Sequence, residues 1–152
     1  MAQVQSPQKA ALIALALVTA APASAQQVIG DCYARAYDMG HMGKHPDQKV
    51  TEVVMQRLDD EPGVPAKLYG LSFRYVGQAG AFGAVIGCFR DTMPAICGAL
   101  DEYGGVKVEA RDNGAILLKL GPEGLITWSD GAQYIISGSA GDDREFLLRP
   151  CN

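Results

Sequence analysis

Two histidines and an aspartate early in the chain have the types and spacing that metal binding requires. Asp38, His41 and His45 stand at i, i+3 and i+7, with Asp47 just beyond. On a helix this spacing places the first three on one side, and two imidazoles four residues apart can share a metal ion. One hypothesis is therefore zinc or copper binding by His41 and His45 with Asp38. In the alternative, His45 bonds a backbone carbonyl before Pro46 and His41 lies at the surface.

The four cysteines, Cys32, Cys88, Cys97 and Cys151, predict structural disulfides. An even number of cysteines in an exported chain is typical of disulfide bonding. The sequence has no Cys-x-x-Cys motif that would lower a thiol pKa for redox chemistry. Three connectivities are possible. We favour Cys88–Cys97, across a short connection, and Cys32–Cys151, which ties the early segment to the end of the chain.

The remaining motifs point away from catalysis. The sequence contains no phosphate-binding Gly-x-x-x-x-Gly-Lys loop, no Gly-x-Ser-x-Gly elbow and no His-Glu-x-x-His. Paired carboxylates occur at Asp59–Asp60, Asp101–Glu102 and Asp142–Asp143, and acidic residues next to Gly or Pro usually form turns. We therefore predict a protein that is not an enzyme and needs no cofactor.

The first 25 residues predict a cleaved export signal. Lys9 precedes the apolar run AALIALALVTA, which at about 11 residues is too short to span a bilayer. Ala23-Ser24-Ala25 forms a small-x-small cleavage site, so we expect the mature chain to begin at Gln26. A lipid anchor is not expected because Cys32 follows Asp31. The prediction is a periplasmic or secreted protein without a transmembrane anchor, and residues 26–152 form one domain.

The charge balance excludes one class of partner and favours another. The whole chain has a net charge of −4, and removing Lys9 with the leader leaves the remainder at −5. An acidic chain without a basic stripe lacks the footprint of nucleic-acid binding. A basic protein partner or a cation suits the sign better, and an acidic surface also serves solubility.

The mature sequence favours short antiparallel strands. We predict a Gly-interrupted helix from Asp31 to Lys44, then about eight strands at spacings near ten residues, separated by turns. Among these turns are Asn113-Gly114, Gly121-Pro122-Glu123-Gly124 and Ser129-Asp130-Gly131. Asn-Gly between two β-like segments is the strongest hairpin signal in the chain. The pattern predicts a small antiparallel β-barrel or sandwich, stapled by disulfides. Trp128, at a strand end before a turn, is either a core anchor or a rim residue that contacts a partner.

Three segments of the chain carry a resemblance to known families. They are CYARAYDMGHMGKHPDQKVTEVVMQ, the Cys88 to Cys97 region followed by EYGGVKVEARDNGAILLKL, and GDDREFLLRPC. Together they resemble a family of small exported proteins of Gram-negative bacteria that has no assigned activity. The class features are also similar to those of bacterial inhibitors of c-type lysozyme, which are small, exported, disulfide-bearing β-barrels. Those inhibitors insert a Ser-Gly loop with a nearby Tyr into the lysozyme cleft. Here Ser137-Gly138 after Tyr134 resembles that loop in reversed order.

These observations lead to three hypotheses about function. The first is a non-enzymatic exported binding protein that recognises a protein partner through Trp128, Tyr134 and Ser137. Inhibition of a cell-wall hydrolase such as lysozyme is its most specific form, because a basic lysozyme suits an acidic surface. The second is a metal-binding envelope protein that uses His41 and His45, and the third is a structural envelope component. The sequence leaves the oligomeric state open.

Overall fold

The structure is a computed structural model that describes residues 26–100 and 103–152 of the chain. The predicted export signal, residues 1–25, lies outside this part of the chain. The described residues form nine strands, one short α-helix, α1 (Met39–Lys44), and a 3₁₀ turn at Asp112–Gly114. The strands are β1 (Cys32–Ala36), β2 (Val50–Arg57), β3 (Lys67–Tyr75), β4 (Phe82–Cys88), β5 (Ala95–Ala99), β6 (Gly104–Ala110), β7 (Ile116–Ser129), β8 (Ala132–Ile136) and β9 (Glu145–Pro150).

Eight of the strands close into an antiparallel barrel. Their order is β6, β5, β4, β3, β2, β1, β9, β7, and the ring closes because β7 also pairs with β6. The ninth strand, β8, pairs with the second half of β7. The predicted mainly β fold is confirmed, and of the two predicted architectures the structure has the barrel.

Alternating side chains fill the barrel, as the sequence pattern of β3 predicts. Tyr69, Leu71, Phe73 and Tyr75 point inward and are buried, while the residues between them face outward. Met55, Ile86, Phe146 and other apolar side chains complete one contiguous core.

Two local predictions need correction. The segment Asp31–Lys44 is helical only over Met39–Lys44, because Cys32–Ala36 pairs with both β2 and β9 as a strand. Gly121-Pro122-Glu123-Gly124 does not reverse the chain. It forms a bulge within the long strand β7, which continues to Ser129.

The disulfides join strand neighbours. Cys88 and Cys97 lie directly opposite each other on β4 and β5, and Cys32–Cys151 links the start of β1 to the residue after β9. Both predicted pairings are therefore confirmed. Within residues 26–100 and 103–152, no helix is long and apolar enough to cross a membrane.

Candidate protein-binding face

An apolar groove runs along the outside of β3 and β4. We call it the apolar groove and define it by Leu58, Gly70, Gly83, Val85 and Trp128, with a volume of about 640 Å³. Outward positions on a barrel strand are usually polar, but on these two strands several are Gly or Val. Gly70 and Val85 are register partners on neighbouring strands. Glycine leaves the strand backbone uncovered, so the surface dips between the larger side chains at its ends.

Trp128 and Leu58 stand at the two ends of the groove. Trp128 is 41% exposed and Leu58 is 37% exposed. Trp128 is held in place by backbone pairing with Gly83, which joins β7 to β4. A half-exposed indole beside an apolar depression is the arrangement expected of an interface anchor.

The hairpin that follows Trp128 is rigid. Asp130 and Gly131 both have positive φ, 45° and 81°, as a two-residue type I′ turn requires. Beneath the turn, the rings of Tyr75 and Tyr134 stack with centroids 3.9 Å apart. The Thr127 hydroxyl donates to the Tyr134 carbonyl, so the Tyr75 hydroxyl donates to Thr127 Oγ1 at 2.9 Å. Burial raises the pKa of Tyr75. The β7–β8 hairpin is thus anchored to the barrel core and presents its tip to solvent.

Acidic residues flank both ends of the groove. Asp59, Asp60 and Glu61 follow Leu58 in the chain, and Asp130 is two residues beyond Trp128. Asp60 accepts hydrogen bonds from Lys67 and Arg57, and these bonds lower its pKa. In the described part of the chain, Asp59, Glu61 and Asp130 form no ion pair. Both ends of the groove are therefore followed in the chain by carboxylates that no described cation pairs with.

The three residues predicted to bind a partner have different environments. Trp128 lies at the groove. The Tyr134 ring packs against Tyr75 and the core, so its role is to support the hairpin. Ser137 Oγ accepts hydrogen bonds from the backbone N–H groups of Ser139 and Ala140 and shapes its own turn. Ser137 is exposed on its own turn, and Trp128 is the one large apolar side chain of the three that is exposed beside the groove.

The predicted metal ligands Asp38, His41 and His45 lie close together, and the contacts seen there are ring stacking and hydrogen bonds. The His41 and His45 rings stack with centroids 4.3 Å apart. Asp38 caps α1 by accepting from the His41 backbone N–H at 2.7 Å. His41 Nε2 lies 3.0 Å from Gln48 Oε1. Within the described ranges, no three His, Cys, Asp or Glu side chains are grouped to hold a metal. Metal binding by this pair stays a prediction.

The carboxylates of Asp142 and Asp143 form contacts within the fold. Asp143 is buried and accepts hydrogen bonds from the backbone N–H groups of Lys49 and Val50, at 2.7 and 3.1 Å. Burial raises the pKa of Asp143, although these two bonds act in the opposite direction. Asp142 lies 3.6 Å from His45 Nδ1. Asp101 and Glu102 lie outside the described residues.

Most of the groove was not predicted from the sequence. The available signal was the run of outward positions without charge on β3 and β4, including Gly70, Gly83 and Val85. In the sequence, Gly83 and Gly87 indicate only curvature or close backbone approach. Recognising a groove also requires knowing that Trp128 returns to lie beside β4. No protein-family model, curated protein or solved structure matches the chain.

Proposed function

We propose that this protein is a non-enzymatic binding protein of the bacterial envelope that holds a basic protein partner at the apolar groove. Inhibition of a cell-wall hydrolase such as lysozyme is the most specific form of this proposal. The observation that carries it is the half-exposed Trp128, which joins the groove to a rigid hairpin tip.

The physical argument combines an anchor with a charged margin. Trp side chains at an apolar patch often dominate binding energy when a partner removes them from water completely. The acidic margin at Asp59, Glu61 and Asp130 would attract a cationic protein and orient it before contact. The groove is lined by apolar side chains and glycine, which cannot act in acid–base or nucleophilic catalysis.

Two disulfides also fit this setting. They form and persist in oxidising compartments such as the periplasm or the outside of the cell, where cell-wall hydrolases act. A small stapled barrel suits a binding protein there, because its rigid surface loses little conformational entropy on association.

The test measures which proteins bind to this protein and whether replacing Trp128 weakens that binding. The oxidised protein is used to capture partners from envelope extract and from a lysozyme solution, with and without chelator, and lysozyme activity is followed by the turbidity of a cell-wall suspension. We expect capture of a basic protein that survives chelator. We expect Trp128→Ala to weaken binding about thirtyfold, corresponding to about 2 kcal/mol.

Leu147→Ala is the matched control. Leu147 is 40% exposed, close to the value for Trp128, but it lies on β9 on the opposite side of the barrel. This variant should bind like the unmodified protein. The proposal fails if both variants bind equally, or if no basic protein is captured. Capture that disappears with chelator would instead support metal binding at His41 and His45.

A further inference from the structure

The strand β8 has an open hydrogen-bonding edge. In the described part of the chain it pairs with β7 on one side and with no strand on the other. The two-residue turn makes Ser129–Ala132 a hydrogen-bonded pair, and bonding then alternates along the hairpin. The backbone N–H and C=O groups of Gln133 and Ile135 therefore point away from β7. No backbone hydrogen bond from other described residues reaches them.

Nothing in β8 protects this edge. Its sequence, AQYII, has no charged residue and no proline, and the ladder with β7 runs from Ser129–Ala132 to Leu125–Ile136 without a bulge. Natural sheets usually block an exposed edge with charge, proline or a bulge, because an open edge recruits other strands. Ile135 is also 61% exposed. An unprotected edge with an exposed isoleucine is the expected form of a strand that pairs.

We infer that β8 pairs antiparallel with β8 of a second copy of this chain. The spacing of the free groups is self-complementary. With a two-fold axis at Tyr134, Gln133 of each copy lies opposite Ile135 of the other, and both residues present free N–H and C=O groups toward the neighbour. Each such pair exchanges two backbone hydrogen bonds. The two hairpins then form one continuous four-stranded sheet.

Side chains and charge agree with this pairing. Trp128 lies opposite Gln133, and Ile126 opposite Ile135, so these four side chains share the outer face of the hairpin. Pairing the edges extends this apolar face across the two-fold axis. The nearest acid, Asp130, is at the hairpin tip, and antiparallel pairing places the tips of the two copies at opposite ends of the sheet. The two β8 strands themselves carry no charged residue, so their pairing brings no like charges together within the joined strands, although the whole chain is acidic.

Sedimentation equilibrium of the purified oxidised protein over a wide concentration range tests the inference. A two-strand contact is small, so we expect a reversible monomer–dimer equilibrium. Ile135→Lys places a charge on the edge of each copy and should raise the dissociation constant at least about tenfold. Leu147→Lys, the same change at an exposed leucine on β9, should leave the constant unchanged.

Amide hydrogen exchange identifies the edge directly. The amides of Gln133 and Ile135 should gain protection as concentration rises, and this gain should be absent in Ile135→Lys. The inference is overturned by a monomer at every concentration, by a dimer that Ile135→Lys leaves intact, or by a dimer in which these two amides exchange freely. The experiment contains no other protein, so its outcome does not depend on the proposed function.

Discussion

Gly124 sets the bend that separates the barrel part of β7 from the hairpin part. Its φ is +80°, a conformation that costs an L-residue about 1–2 kcal/mol, and a Cβ there would meet the carbonyl oxygen of Ile136. We expect Gly124→Ala to lower the free energy of unfolding by about 3 kcal/mol, because strain and a backbone clash add. Urea unfolding followed by circular dichroism measures the change.

Gly98→Ala is the control for this prediction. Gly98 lies outward on β5, its φ is not in the left-handed region, and a Cβ there would meet no atom of the described residues within 4 Å. Its free energy of unfolding should change by less than about 0.5 kcal/mol. Equal effects of the two substitutions would mean that the bend at Gly124 is not constrained as described.

For individual residues, the sequence predicts the kind of bond that a side chain can form better than it predicts which side chains contact each other. The four cysteines allow three pairings, and position in the chain was enough to choose the observed one. Spacing alone suggests metal binding by the histidine pair as one hypothesis. Spacing could not show that Asp38 is used to cap α1 or that Gln48 lies 3.0 Å from His41. Those partners are set by how the chain folds around the helix.

At the level of strands and turns, alternation and turn chemistry predict most of the barrel. The β6–β7 connection is the predicted hairpin, and its Asn113 and Gly114 have positive φ, although they lie in a 3₁₀ turn that begins at Asp112. The strand β5 was not predicted, because AICGA is short and contains a glycine. β7 was predicted as two strands, because a Gly-Pro-Glu-Gly sequence is as typical of a turn as of a bulge.

The ladder between β6 and β7 carries a charge cluster that makes stability depend on pH. Hydrogen bonds from Lys107 and Arg111 lower the pKa of Glu109 to about 2, from an ordinary value of 4.5. A carboxyl with a lowered pKa stabilises the fold above its unfolded pKa, and this stabilisation is lost as the pH falls toward the folded value. We expect Glu109→Gln to be less stable than the unmodified protein at neutral pH and nearly equal to it near pH 2.

Urea unfolding of both proteins across this pH range checks the prediction. Glu61→Gln is the control. Glu61 forms no ion pair among the described residues, so this substitution should leave the loss of stability at low pH unchanged. A constant difference between Glu109→Gln and the unmodified protein at every pH would show that Glu109 acts through packing. Asp143, whose pKa is raised, acts with the opposite sign, because its contribution decreases as the pH rises.

For the whole molecule, the candidate site depends on barrel closure, which no local pattern reveals. The groove unites Leu58, the residue after β2, with Gly70 from β3 and Trp128 from near the end of β7. Trp128 comes beside β4 because β7 continues beyond its bulge, past the start of β6, and pairs with β4 at Gly83. Sequence patterns therefore predict a barrel or sandwich, but the residues that meet on its surface follow from the order in which strands close the ring.

The same closure explains where the disulfides lie. In the described chain, β1 and β9 are joined through Tyr33–Pro150 and Ala34–Arg149, and Cys32–Cys151 continues this short ladder. β4 and β5 share another short ladder, which ends at the Cys88–Cys97 pair. Each disulfide thus strengthens a contact between two neighbouring strands that share few backbone pairs. Because Cys32 and Cys151 are 119 residues apart, their bond restricts the unfolded chain far more than Cys88–Cys97, with a separation of 9.

We therefore expect unequal losses when each disulfide is replaced by two alanines. Removing Cys32–Cys151 should lower the free energy of unfolding by about 5 kcal/mol, and removing Cys88–Cys97 by about 2.7 kcal/mol from chain entropy. Denaturant unfolding measures the totals, and amide exchange locates the opening. Loss of Cys32–Cys151 should expose the amides of the β1–β9 ladder at denaturant concentrations where the β2–β3 ladder is still protected. If those amides stay protected, backbone pairing alone closes the barrel, and the disulfide acts only on the unfolded chain.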